Sequence, residues 1–277
     1  MNTKTCAPAP ESAANTPEPL VSVIITCYNQ GQWLHEAIQS ILDSTWKSLE
    51  ILVYDDGSTD PATIAAFDGL EARFPKTRLF HQRNQGVSLT RNRGLHEANG
   101  EFILFLDGDD RIAPDYLASA MALFARRPDT CVVTGDFCVF QDGEEPSGQK
   151  ALHWETFNHA AFITHGGIPV TSLFRKTMGL RIGGFSRVLN RIAGEDFDFW
   201  LSLYEKNPNF QFIPAVCLYY RHHGVSRNGH NPKRLFSRVY QILHHPRLYL
   251  SHPGAFVSVF TDFMLRRLKR RFSRKHS

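Results

Sequence analysis

From about Leu20 onward, uninterrupted apolar runs alternate with stretches of helical spacing. LVSVIIT is β-branched and continuous, the pattern of a strand buried on both faces of a parallel sheet. Residues from about Gln32 to Leu42 (QWLHEAIQSIL) space their apolar positions as an amphipathic helix does. EILVYDD is a second buried strand, ended by Asp-Gly-Ser-Thr-Asp, a dense turn signal. Pro61 suits the first turn of a helix that runs to about Arg73, with Ser58, Thr59 or Asp60 as its cap. RLFHQR is a short third strand, and the segment from Gly86 opens a helix that ends at Asn99-Gly100. EFILFLD is a fourth strand, Pro114 starts a helix to about Arg127, and TCVVTGD is a fifth strand.

This alternation predicts an α/β fold, a mostly parallel sheet flanked by helices with right-handed crossovers. After about residue 143 the pattern weakens. GEEPSGQ is a loop, EDFDFWLSLYEK reads as a helix and FIPAVCLYY as a strand. From about Pro232 two helical stretches are expected, broken at His252-Pro253-Gly254. The expected organisation is a disordered arm over 1–19, an α/β domain over 20–228 and a helical extension over 229–277.

Ligands of open α/β sheets bind beyond the carboxyl ends of the strands. Those ends carry Thr26, Cys27, Tyr28 and Asn29, then Asp55 and Asp56, then Asp107, Gly108, Asp109 and Asp110. Five carboxylates on one edge repel one another unless a cation or hydrogen-bond donors offset the charge. In FLDGDD, Asp107 and Asp109 sit one residue apart around a glycine that lets the backbone turn. Such a pair suits a hard divalent cation, Mn²⁺ or Mg²⁺, shared with substrate phosphates. Taken alone, Asp-x-Asp is more often a solvated turn; the buried strand before it and the neighbouring acids favour the metal reading.

The net charge of +4 is local: RRLKRRFSRKHS, from Arg266, holds seven Lys or Arg and no acid, and the rest is close to neutral. That excludes a nucleic-acid-binding domain as the expectation. Five widely spaced cysteines with no C-x-x-C pair read as reduced thiols, which suits the cytoplasm. The N-terminal residues lack the apolar run of a signal peptide, and no run of about 18 apolar residues occurs.

VSVIITCYN, EILVYDDGSTD and NQGVSLTRNRGLHEANGEFILFLDGDD, in that order and strand context, resemble glycosyltransferase family 2, the inverting enzymes of the GT-A fold. The resemblance spans roughly Val21 to Ala125 and continues more loosely to about Arg227. It implies a nucleotide-sugar donor, UDP-linked by preference, a glycan or lipid-linked hydroxyl acceptor and a divalent metal. It implies that residues 20–142 bind the donor and 143–228 the acceptor. Thr26, Tyr28 and Asn29 fall where relatives contact the nucleoside, with Tyr28 stacking on the base. Asp56 matches the residue that hydrogen-bonds the base, and Arg91, with Asn92, lies in the segment near the diphosphate. Asp109 matches the metal ligand, with Asp107 and Gly108 beside the ribose or the ion. Glu195 and Asp196 match the acidic pair that supplies a general base, Asp196 preferred. Arg221-His222-His223 fits the Arg-x-His of relatives, which makes His223 a further metal candidate.

Two enzyme classes are disfavoured. An aspartyl-phosphate phosphatase would need Asp where Tyr54 stands, and a nucleotidyltransferase would need a glycine-rich basic loop where ITCYNQGQW stands. The alternative is a non-catalytic nucleotide-sugar-binding or scaffold protein. Trp154, Phe157 and Trp200 are sugar-stacking or core aromatics, and His230, His244, His245 and His252 lack ligand spacing. The basic tail, preceded by Phe256, Val257, Val259, Phe260 and Phe263, could form an amphipathic helix in peripheral contact with an anionic membrane.

Overall fold

The computed structural model describes residues 17–223 and 234–254. The arm before residue 17, the basic tail and His230 lie outside the described residues.

Eight strands form one sheet: β1 (Val21–Cys27), β2 (Leu49–Asp55), β3 (Thr77–His81), β4 (Phe102–Asp107), β5 (Arg111–Ile112), β6 (Val132–Gln141), β7 (Leu173–Arg175) and β8 (Phe210–His222). Their order is β3-β2-β1-β4-β7-β6-β8-β5. The first four run parallel, as the apolar runs predict, and β7 joins antiparallel between β4 and β6. Register matters for function. Thr26 of β1 stands opposite both Tyr54 and Asp107, and Cys27 opposite Asp55, so three strands deliver their polar ends in one row.

The helices are α1 (Gly31–Leu42), α2 (Pro61–Phe67), α3 (Leu70–Arg73), α4 (Val87–Glu97), α5 (Tyr116–Arg126), α6 (His159–His165), α7 (Lys176–Arg181), α8 (Glu195–Lys206), α9 (Arg234–His244) and α10 (Pro246–Ser251). Side chains of a strand alternate between faces. Val21, Val23 and Ile25 therefore pack with Leu34, Ile38 and Ile41 of α1 and Leu117 of α5. Ile24, Leu52 and Tyr54 pack on the other side with Leu95 of α4 and Phe199 and Trp200 of α8. That second layer is rich in aromatics; Phe185 stacks on Phe199 with centroids 4.2 Å apart. Trp200 and Phe157 are buried in it, and Trp154 packs against Phe157 and Phe212, so these rings serve the core.

Two helix boundaries differ from the pattern. The helix expected from Pro61 to Arg73 breaks at Asp68-Gly69, where Gly69 takes φ 68°, a left-handed conformation that glycine adopts without strain. The break expected at His252 is present, since α10 ends at Ser251, but a further break falls at His245, because Pro246 lacks an N–H, disfavours helix in the residue before it and starts α10. Cys27, Cys131, Cys138 and Cys217 are buried free thiols. Among the described residues no helix is long and apolar enough to cross a membrane.

Candidate active site

The ends of β1, β2 and β4 build one wall. Asn29, held at φ 56°, accepts from the backbone N–H groups of Thr59 (2.8 Å) and Asp60 (3.0 Å) through Oδ1. It thereby fixes the Asp-Gly-Ser-Thr-Asp loop, and Asp60 caps α2 by accepting from the Thr63 N–H at 2.8 Å. Tyr28 is 45% exposed at this edge. Asp56 is 5% exposed and holds the segment that leads into α4. Its Oδ1 accepts from Gln82 Nε2 (2.8 Å) and the Gln85 N–H (2.9 Å), and its Oδ2 from the Gly86 N–H (2.8 Å). A carboxylate offers about four acceptor positions, so one further donor, such as a base N–H, can still be met.

Asp107 connects this wall to the opposite side. Its Oδ1 accepts from Thr26 Oγ1 at 3.1 Å and from Arg91 Nη2 at 2.7 Å. Arg91 is buried on α4, its guanidinium 5.4 Å from the Phe185 ring, and its Nη1 reaches Glu195 Oε1 at 3.4 Å. Burial works against the Arg91 charge, but Asp107, Glu195 and Asp196 outweigh it and hold the proton more tightly than usual. Arg91, which the resemblance puts near the diphosphate, forms a buried bridge between the Asp-Gly-Asp turn and the acidic pair at the start of α8. Gly108 lies tight against β1: its N–H donates to Thr26 O at 3.0 Å, and a Cβ would sit 3.3 Å from Cys27 Cβ. Asn92 serves the scaffold, pairing with the Phe185 backbone.

Asp109 receives Gln30 Nε2 at 2.6 Å and faces His223 Nε2 at 2.8 Å, both on Oδ2. Burial, and then the Asp107 charge, raise its carboxyl above the usual range more than His223 lowers it. Asp110 is pushed up further by burial, Asp109 and Asp107, although it accepts the Arg221 N–H at 2.9 Å. A raised acid cluster lacks positive charge. Asp109 and His223, 2.8 Å apart, are the side chains placed to hold a hard cation, which would take its remaining ligands from water and phosphate.

The sequence pattern missed the groups that set this corner. Arg221, 3% exposed, donates Nε to Asp109 O (2.8 Å), Nη1 to Asp142 Oδ1 (2.7 Å) and Nη2 to Glu36 Oε2 (2.6 Å). Trp33 stacks on His223 with centroids 4.5 Å apart and donates Nε1 to Asp142 at 2.8 Å. These hydrogen bonds span 79 to 185 positions of sequence, beyond the reach of any local pattern. The one signal was Arg-x-His at the end of β8.

Glu195 and Asp196 open α8 behind Gly194, which takes φ 82°. Glu195 pairs with Arg91, whereas Asp196 Oδ1 accepts the Phe197 N–H at 2.8 Å.

Comparisons with known proteins find relatives of this chain. An uncharacterized glycosyltransferase, YibD, of Escherichia coli (strain K12) is 36% identical over 125 residues, 45% of this chain and 36% of that protein. An uncharacterized glycosyltransferase of Rickettsia felis is 44% identical over 194 residues, 68% of this chain and 30% of that protein. Chondroitin synthase of Escherichia coli is 28% identical over 75% of this chain and 29% of that protein. The chain thus spans about a third of the length of these relatives. Among solved structures, S. aureus TarS superposes with TM-score 0.62 at 22% identity, covering 80% of this chain and 40% of that one. A TarS fragment has been solved with UDP and with UDP-GlcNAc. The structural likeness shows a shared GT-A fold. The family model described as glycosyl transferase family 2 matches residues 22–185, which holds the strand ends, the Asp-Gly-Asp turn and Arg91, and the chain belongs to that family.

Proposed function

We propose that this chain is an inverting glycosyltransferase that passes a sugar from a UDP-sugar to a glycan or lipid-linked hydroxyl. The observation that carries the reading is the Asp107–Arg91–Glu195 bridge, which joins the donor edge to the acidic pair in one site. Residues 20–142 would supply the donor half and 143–228 the acceptor half. Thr26, Tyr28 and Asp56 receive the nucleoside, with Tyr28 under the base.

Asp109 and His223, with Asp107 nearby, would hold Mn²⁺ or Mg²⁺, which when bound neutralises the leaving diphosphate. Asp196 takes the acceptor proton as the hydroxyl attacks the anomeric carbon from the face opposite the diphosphate. Glu195 is less suited, because Arg91 Nη1 already engages its Oε1 at 3.4 Å. A positioned base contributes roughly 10² to 10⁴ in rate. One relative is named chondroitin synthase and a TarS fragment has been solved with UDP-GlcNAc, which supports a role in polysaccharide synthesis, of surface polysaccharide or lipopolysaccharide. The basic tail would rest on the cytoplasmic face of the membrane, and truncation after Phe263 is expected to abolish binding to anionic liposomes.

Thermal unfolding with UDP, with and without Mn²⁺, tests the donor site. Ligand at about 100 times its dissociation constant adds roughly 2.7 kcal/mol of stability. A Mn²⁺-dependent upshift lost in Asp109→Asn supports the site, and Asp196→Asn should keep the shift while losing transfer. No shift with any nucleotide would favour a scaffold. A product with the donor's anomeric configuration would exclude the single displacement.

A further inference from the structure

Two histidines that lack ligand spacing in the sequence are brought to a third group by the fold. Asp198, on the first turn of α8, is buried, and its Oδ1 lies 3.1 Å from His244 Nδ1 and 3.2 Å from His245 Nε2. The three ligand-type atoms lie within 4.8 Å of one another, the one such group of three among the described residues.

Three features point to an ion between them. Charge-assisted N–H···O bonds usually measure about 2.7–2.9 Å, and both contacts to Asp198 are longer. They approach the separation of about 3.3 Å that a tetrahedral ion with bonds of about 2.0–2.1 Å imposes on its ligands. His245 also places its other nitrogen, Nδ1, 2.9 Å from Glu205 Oε2. Glu205 thus holds the far side of the ring while Nε2 faces Asp198 Oδ1 in the position of a ligand atom. A carboxylate on the far nitrogen of a metal-bound histidine is the arrangement that fixes tautomer and ring orientation. Finally, Asp198 and His244 line a cavity of about 670 Å³, walled also by Phe185, Ser202 and Tyr240, with space for water in an open position.

We propose that Asp198, His244 and His245 bind a divalent transition-metal ion of the zinc class, at a site separate from the cation expected at Asp109. Two imidazoles and one carboxylate favour zinc over magnesium, which prefers oxygen ligands. The ion ties α9 and the start of α10 to α8. At the other end of the same contact, Gln241 Nε2 donates to Gly194 O at 2.8 Å, so α9 also touches the cap of the helix that carries Glu195 and Asp196. The site thereby braces the acidic pair from behind.

The test uses the full chain, freed of metal with EDTA and titrated calorimetrically with Zn²⁺, with Co²⁺ as a visible-absorption probe. His244 is half-exposed, so His244→Ala should fold, and an unchanged metal-free Tm confirms it. The expected result is Zn²⁺ binding that Asp109→Asn retains and His244→Ala weakens by roughly tenfold or more. Glu205→Gln should weaken it by about 10–100-fold, the usual effect of losing an outer-shell carboxylate. Failure of the wild type to bind Zn²⁺, or binding by His244→Ala as tight as wild type, overturns the proposal. Neither result bears on UDP binding, which is read separately.

Discussion

Replacing Arg221 with Met tests whether the corner around Asp109 is held by one side chain. Met keeps much of the stem's packing against Phe140, whose ring centroid lies 4.6 Å from the guanidinium carbon, and removes three donors. The Glu36 carboxylate is 48% exposed, so it re-solvates, and its pair is worth about 0.2–1 kcal/mol. Asp142 returns to water and adds nothing. The Asp109 carbonyl loses a buried charge-assisted bond worth about 1.5–3 kcal/mol. The sum is roughly 3 kcal/mol. At about 2–4 °C per kcal/mol for a domain of this size class, Tm should fall by roughly 6–12 °C. Urea unfolding should show a lower midpoint at unchanged slope, the mark of lost stability with the same exposed surface. Mn²⁺-dependent UDP binding should weaken by more than roughly tenfold, since Asp109 and His223 lose their common support. Arg221→Lys should recover less than half of the loss, because an ammonium cannot span Glu36, Asp142 and the Asp109 carbonyl at once. A Tm within about 2 °C of wild type, with UDP binding intact, would refute the idea that this network sets the site.

Asp56→Asn turns an amide N–H₂ towards one of three donors, so it should cost about 1–3 kcal/mol by urea titration and weaken UDP binding; unchanged values would remove Asp56 from both roles. Gly135→Ala drives a Cβ into Cys217 Sγ at the irregular pairing of β6 with β8, and overpacking of about 1–3 kcal/mol should lower Tm, relieved only in part by Cys217→Ala, whose Cβ would still lie 2.9 Å from the new methyl. Glu50 gives a pH test: burial would raise its carboxyl, but hydrogen bonds from Ser22, Asn99 and Gly100 outweigh it and hold it below the usual range. A lowered folded pKa means stability that is present above the unfolded value and lost as pH falls through the folded one. Glu50→Gln should therefore be less stable than wild type near neutrality and converge with it in acid; a gap independent of pH would contradict this.

The sheet edge formed by β1, β2 and β4 was legible because its signals are local. A buried parallel strand reads as a continuous apolar run, and a residue at its carboxyl end must lie at the sheet edge. Thr26, Asp55, Asp56, Asp107 and Asp109 could therefore be placed together from the chain alone, and the register of β1 with β2 and β4 sets Thr26, Asp55 and Asp107 in one row. The dense Asp-Gly-Ser-Thr-Asp turn likewise gave the cap of α2, with Asp60 as the cap itself.

What the sequence could not carry is pairing between distant side chains. Arg91 looked like a ligand contact; only burial against Phe185 made it a bridge from Asp107 to Glu195, 104 positions away. Arg221 and Trp33 gained their roles when β8 was laid beside β5 and brought His223 over α1. His244 and His245 had no ligand spacing because their carboxylate partner lies on α8, across a helix contact that no periodicity encodes. Strand ends follow from local hydrophobic pattern, which a chain displays in order; charge partners follow from burial, which brings together whichever groups the packed layers leave facing one another.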